Sequence, residues 1–265
     1  MDDFVDERDF KLLETDKYTF SVLKRIIKGE CRVLLTDHER LIICHTGNPF
    51  PTWVWTPDDA TDEEMERAFK LTTESCPLGE GYTYNIKYSL ADYFIKRAAE
   101  EGQKLSIKTN MFAYDCPEII EPHVKAEGEL HLCTEDDIEA IVEFKNAFHN
   151  ELDIDKESEE KYRQQAVESV ANRSLYFWKD AEGKFVASCH WHPNEGMAAI
   201  GLVFTKPEAR RKHFAENLVY NVTRIAEEAG YLPMLYTDAD YIASNSCYER
   251  IGYIKRGELC TVGID

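Results

Sequence analysis

The chain has 265 residues, long enough for one large or two modest domains, and 43% hydrophobic with 12% aromatic residues gives it material for sizeable cores rather than disorder. Acidic side chains outnumber basic ones 50 to 31, a formal charge of −19 spread over both halves. That excess excludes nucleic acid as a default partner, because phosphate needs Lys and Arg; it disfavours anionic membranes and attracts cationic small molecules such as amines.

The opening residues, Met-Asp-Asp-Phe-Val-Asp-Glu, are acidic and lack the basic-then-apolar order of a signal peptide. No apolar run is long enough to span a bilayer. Cys31-Arg-Val-Leu-Leu-Thr36 and Leu41-Ile-Ile-Cys-His45 read as a hairpin, followed by the aromatic strand Pro51-Thr-Trp-Val-Trp55. Asp58 or Thr61 can cap a helix over 62–75, whose first acids suit the helix dipole. A second helix runs over about 90–101 to Gly102, and a strand over 104–114. Trp53, Trp55, Tyr82, Tyr84 and Tyr88 read as core and interface packing. The segment 117–128 carries two prolines, and a linker is placed at 121–128.

A new pattern begins at Glu129. Leu130-His-Leu-Cys133 reads as a strand, and Thr134-Glu-Asp-Asp137 as a capping box. The helix it starts puts Ile138, Ile141, Val142, Phe144 and Phe148 on one face. A polar helix over 158–170 follows, then strands over 175–179 and 185–191 across Asp180-Ala-Glu-Gly183, and a buried strand over 196–205. A long helix is expected over 208–229, a strand over 233–237, a short helix over 244–250 and a terminal strand pair over 253–264. The alternation makes this a mixed α/β fold. Eight scattered cysteines form no Cys-x-x-Cys pair, so no metal site is signalled. They read as reduced core thiols in a cytoplasmic protein.

The most informative stretch is Gly201-Leu-Val-Phe-Thr-Lys-Pro-Glu-Ala-Arg-Arg-Lys-His-Phe-Ala215. A strand ends, Pro207 breaks it, and a basic turn opens a helix. Amides at a helix N-terminus point at an anion and the dipole favours it, so the turn suits a pyrophosphate. Three cations there would oppose the dipole unless an anion binds.

These residues resemble the GNAT superfamily of acyl-CoA-dependent N-acetyltransferases. The family's loop, Arg/Gln-x-x-Gly-x-Gly/Ala after a strand ending Val-x-Thr-x-Pro, is similar to Val203-Phe-Thr205-Lys-Pro207 and Arg210-Arg-Lys-His-Phe-Ala215. Its later Tyr and Glu-x-x-Gly-Phe/Tyr are similar to Tyr248-Glu-Arg-Ile-Gly252-Tyr253. The chain departs at His213, where the family has glycine, and at Tyr241, where many members have an Asn that contacts pantetheine; either Asn245 takes over part of that role or the contact is lost.

The resemblance implies a GNAT-like acyltransferase domain over 129–265 with a central, mostly antiparallel sheet. A smaller α/β domain over 1–120, read as a degenerate relative of the same fold, precedes it and either covers the acceptor site or makes a homodimer contact. It implies acetyl-CoA as co-substrate. Backbone at Leu202, Val203 and Phe204 would line the pantetheine arm, and Arg210, Arg211, Lys212, His213, Phe214 and Ala215 the pyrophosphate. Tyr248 would be the acid that protonates the leaving thiolate. The acceptor would be a primary amine on a small molecule or peptide. The alternative is a non-catalytic acyl-CoA-binding or interaction protein. No acid follows Glu195 on the expected strand, so the general base is open: His190 and His192 share one strand face, and Glu151 and Asp153 are candidate contacts for a substrate ammonium.

Overall fold

Four of the chain's helical segments start where the sequence offers an acceptor for the first unpaired amides. In the computed structural model, which describes residues 1–151 and 157–265, Asp6 caps α1 (Glu7–Thr15) in a capping box with Asp9. Thr61 caps α3 (Asp62–Ser75) in a box with Glu64. Thr134 and Asp137 close a box around a 3-10 turn that leads into α5 (Ile138–Glu151). Ser158 caps α6 (Glu159–Ala171). All eight cysteines are free thiols and seven are buried. Among the described residues no helix is long and apolar enough to cross a membrane.

The chain divides into two compact units. The first comprises residues 1–114, 236–242 and 255–265; the second comprises 115–235 and 243–254. The first unit runs α1, α2 (Ser21–Ile26), β1 (Val33–Thr36), β2 (Ile42–His45), β3 (Thr52–Trp55), α3, β4 (Tyr84–Ile86), α4 (Tyr88–Glu100) and β5 (Leu105–Asp115), and takes in β11 (Ile254–Ile264) from the end of the chain. Its strands lie in the order β1-β2-β3-β4-β11-β5. β1, β2 and β3 form an antiparallel meander, β4 lies parallel to β3 across α3, and β11 pairs antiparallel with β4. Phe69, Phe94 and Tyr84 pack with Val54, Ile86 and Val262 in one core cluster; Phe20, Trp53 and Trp55 pack with Leu13 and Leu259 in another. Tyr82 and Tyr88 are half-buried beside the first cluster.

The second unit runs β6 (Glu129–Leu132), α5, α6, β7 (Leu175–Lys179), β8 (Phe185–Asn194), β9 (Met197–Thr205), α7 (Phe214–Glu228), β10 (Leu232–Asp238) and α8 (Ile242–Ile251). β6 to β9 are antiparallel, and β10 lies parallel to β9 across α7. Each unit thus passes through two helices, three antiparallel strands, a helix, a strand parallel to the third, and a second helix. The core under α5 and α6 joins Ile141, Phe144, Tyr162, Phe177, Leu202 and Phe204.

Several elements differ from the sequence reading. The helices α1 and α2 are additional: α1 places only Asp9 and Leu13 fully inside, too sparse a pattern to read from spacing. The helix expected over 208–229 starts only at Phe214. Pro207–Ala209 forms a separate 3-10 turn, and left-handed backbone at Arg211 and His213 stops the helix from extending backwards. The terminal strand pair is one continuous strand, β11. The segment 121–128 falls within the second unit and is tied down there: Asn217 Nδ2 donates to Val124 O at 2.9 Å and Trp178 Nε1 to Glu127 O at 2.9 Å.

Candidate functional site

The site is built where β9 hands over to α7. β10 pairs with β9 from Leu232 opposite Met197 to Met234 opposite Ala199, and the described register goes no further. Beyond Ala199 the other edge of β9 changes step. Ser188 lies opposite Phe204 and His190 opposite Gly201, so β9 takes three steps where β8 takes two. That is a β-bulge, and it turns the strand. At its centre Leu202 has φ +48, a left-handed conformation for a non-glycine residue. Its carbonyl accepts a hydrogen bond from the buried Ser188 Oγ at 2.9 Å. Leu202 and Phe204 turn their side chains into the core, while Val203 is half-buried.

The turn that follows carries two left-handed residues. Arg210 is extended, Arg211 has φ +61 and His213 φ +63. Left-handed residues in a turn can point successive amides into one concavity. His213 is the N-cap of α7 and makes no side-chain cap, unlike Asp6, Thr61 and Ser158 on their helices. The first-turn amides of α7 are therefore left for another acceptor. Arg211 and Lys212 are exposed and, among the described residues, make no ion pair. Phe214 is buried and Ala215 half-buried. Lys212 and Phe214 also line a groove of about 560 Å³ with Phe144, Phe185 and Lys206.

Residues 138–253 match the model of the acetyltransferase (GNAT) family. They form a GNAT acetyltransferase domain. The fold recurs in solved structures. An acetyltransferase of the GNAT family from Colwellia psychrerythraea is 12% identical, with TM-score 0.61 over 98% of this chain and 97% of that one. A GCN5-related N-acetyltransferase from Kribbella flavida is 16% identical, with TM-score 0.60 over 93% of both chains. One from Sphaerobacter thermophilus is 13% identical, with TM-score 0.61 over 81% of this chain and 72% of that one. At such identities the likeness is one of fold. No curated protein matches the chain.

Within the GNAT domain, Arg210 is tied down. Its Nε donates to Thr205 O at 3.0 Å and its Nη2 to Glu151 Oε2 at 2.5 Å. What it can offer an anion is backbone, and Glu151 is engaged with it rather than held ready for a substrate ammonium. Asp153 lies outside the described residues. Asn245 and Tyr248 are both buried on α8. The Tyr248 ring lies 5.9 Å from that of Tyr253, whose hydroxyl is bonded to Thr223 at 2.7 Å. α8 is fixed to α7 by Arg250, which donates through Nε at 3.1 Å and Nη2 at 3.0 Å to the buried Glu216. Tyr241 is 48% exposed.

The two histidines are stacked, with ring centroids 5.5 Å apart. His190 lies directly over Gly201: a Cβ there would come within 3.0 Å of its ring, so glycine is what lets the imidazole settle on the bulge. Burial, then the charges of His192 and Lys145, push the His190 pKa down to about 3. It is neutral at pH 7 and a weak base for an alkylammonium. Lys145, on the inner side of α5, donates to Gln165 Oε1 at 3.0 Å, and burial lowers its pKa. Gln165 Nε2 donates in turn to Glu157 Oε2 at 2.6 Å. Sequence reasoning missed Ser188 and the Lys145–Gln165–Glu157 chain. A serine in a strand and a lysine on a helix carry no local signal; only the fold puts them beside β9.

Proposed function

We propose that this protein is an N-acetyltransferase that moves the acetyl group of acetyl-CoA to a primary amine of a small molecule or peptide. The observation that carries the reading is the uncapped, doubly left-handed turn over Arg211–His213 at the start of α7, set beside a strand whose pairing with β10 stops at Ala199. The turn's amides, with Arg211 and Lys212, receive the pyrophosphate. The edge of β9 at Leu202, Val203 and Phe204 takes the pantetheine arm as an added strand, and Asn245 on α8 is its candidate polar contact.

Chemistry at the thioester needs a neutral amine. Its nitrogen forms a bond to the acetyl carbon, the carbon–sulfur bond breaks, and the proton that nitrogen loses passes to solvent water, from which the Tyr248 phenolate is reprotonated. Tyr248 donates its phenolic proton to the departing thiolate, which keeps the thiol from re-attacking the amide. His190, held uncharged over the bulge, is too weak a base to take the proton that the amine gives up.

Calorimetry with acetyl-CoA, then thiol release over an amine panel, tests the reading. Micromolar binding with turnover on at least one amine is expected. No acetyl-CoA binding at high micromolar concentration overturns it, and binding without turnover on any amine favours an acyl-CoA-binding protein.

A further inference from the structure

We infer that Ser188 is a positioning residue for the acyl-carrying arm: its hydroxyl holds the Leu202 carbonyl in the bulged form of β9 and so keeps the slot beside that strand open. The inference rests on the acetyl-CoA reading and adds to it a residue outside the family-like motifs.

Leu202 has a β-strand sequence around it, Ala-Ile-Gly-Leu-Val-Phe, in which Ile200, Val203 and Phe204 favour a pleated, extended backbone. Held at φ +48 it is strained. A strained non-glycine residue persists only where its surroundings over-determine it. Here Ser188 is fully buried, its Oγ donates to Leu202 O at 2.9 Å, and that bond sits inside the register shift between Ser188 and His190. In an unbulged strand the Leu202 carbonyl would be turned to a ladder partner. With Ser188 holding it, the strand bends after Ala199, the last residue of β9 in register with β10. Removing the hydroxyl leaves Leu202 free to relax toward a regular strand. The slot is then open in only part of the population, and apparent affinity falls by that fraction.

The effect is confined to ligands that enter the slot. The anion-binding turn lies beyond Pro207 and does not depend on the Leu202 carbonyl. Two probes therefore separate the parts: acetyl-CoA, which carries the arm, and adenosine 3′,5′-bisphosphate, which lacks it. A Ser188→Ala variant is expected to bind acetyl-CoA about tenfold more weakly, with raised KM and nearly unchanged kcat at saturation, because saturating ligand selects the open form. Its affinity for the bisphosphate should stay within about twofold of wild type. Ser188→Thr, which keeps the hydroxyl, should restore acetyl-CoA binding. Tyr84→Phe is the control. It removes another buried hydroxyl bond to a backbone carbonyl, Tyr84 Oη to Cys76 O at 2.8 Å, far along the chain from β9. It should lower Tm comparably and change neither affinity. If Ser188→Ala binds acetyl-CoA as wild type does, or loses both ligands in parallel, the positioning role is overturned while the coenzyme reading stands. If the wild-type protein binds neither ligand, both are overturned.

Discussion

His213 stands where the family's loop has glycine, and the structure makes a signed prediction about it. Its backbone sits at φ +63, ψ +10. For a residue with a Cβ this left-handed conformation costs roughly 1–2 kcal/mol, and glycine escapes that cost. Glycine in turn loses about 0.5–1 kcal/mol through the freedom of its unfolded chain. Comparing His213→Gly with His213→Ala isolates the backbone, because both variants lose the same ring and the same long contact, 3.4 Å from Nδ1 to Glu216 Oε2. The difference should favour glycine by about 0.5–1 kcal/mol. At an ordinary exposed position the order is reversed by about the same amount. Urea unfolding reads it as a midpoint for the glycine variant roughly 0.3 M above that of the alanine variant, at equal m. The His213 side chain is 44% exposed, so its removal should leave affinity for adenosine 3′,5′-bisphosphate equal or tighter. An alanine variant more stable than the glycine one would refute the left-handed turn, and with it the converging amides.

Three further outcomes follow from single sites. Tyr248→Phe should lower kcat by about 10²-fold, the scale of one general-acid contribution, with acetyl-CoA Kd unchanged in calorimetry; unchanged kcat removes Tyr248 from the acid role. His38 is enclosed, Nδ1 2.7 Å from Asp9 and Nε2 3.0 Å from Asp2, so both ring nitrogens face carboxylates. The hydrogen bond to Asp9, foremost, raises its pKa. A raised histidine contributes stability that is whole below the unfolded value of about 6.5 and is lost as pH climbs through the higher folded value. His38→Gln should therefore be less stable than wild type at pH 6 and closer to it at pH 9, and an equal deficit in urea midpoints at both pH values would contradict the pairing. Gly252 has φ +107, and a Cβ there would lie 2.0 Å from Glu118 O. Gly252→Ala should cost about 3 kcal/mol or more, read as loss of folded protein or a large fall in Tm, and a Tm within a degree of wild type would deny the close approach.

Much of this molecule can be read along the chain, and what can be read is local. Helix starts at Thr61 and Thr134 are legible because a capping side chain announces them. The β1–β2 hairpin and the strands from β7 to β10 were legible because each is a short apolar run between turns. Of the candidate site, the sequence nominates the stretches that carry the motif, Arg210 to Ala215 and Tyr248 to Tyr253. The rest depended on contacts distant in sequence. The β9 bulge is set by a hydroxyl 14 residues away. The guanidinium of Arg210 looks free in sequence, yet Glu151, 59 residues earlier, takes it. His190 looked like a base by its face on the strand, and its burial over Gly201 makes it a weak one. The start of α7 was misplaced because backbone sign at Arg211 and His213 is invisible in residue types that seldom adopt it.

The two units make the same point in opposite directions. They share an order of elements, and the position that in the second unit precedes α7 corresponds in the first to the connection from β3 to α3. There the chain reads Thr56-Pro-Asp-Asp-Ala-Thr61 and continues into Asp62, Glu63 and Glu64. Thr61 accepts from the Glu64 amide and Glu64 reaches back to Thr61, so the first-turn donors are engaged from within. Five acids in seven residues repel what Arg211 and Lys212 attract. The shared topology therefore supplies a helix N-terminus at the start of a parallel crossover in both units, and sequence at that one junction decides what it serves. In the first unit it is closed by its own side chains and stabilises a helix. In the second it is left without a side-chain cap, bent through two left-handed residues and given two exposed cations. Grafting the acidic junction's feature onto the second unit, as Lys212→Glu, should accordingly abolish most nucleotide affinity while leaving the fold intact; affinity for adenosine 3′,5′-bisphosphate that survives this charge reversal within twofold would place the anion elsewhere.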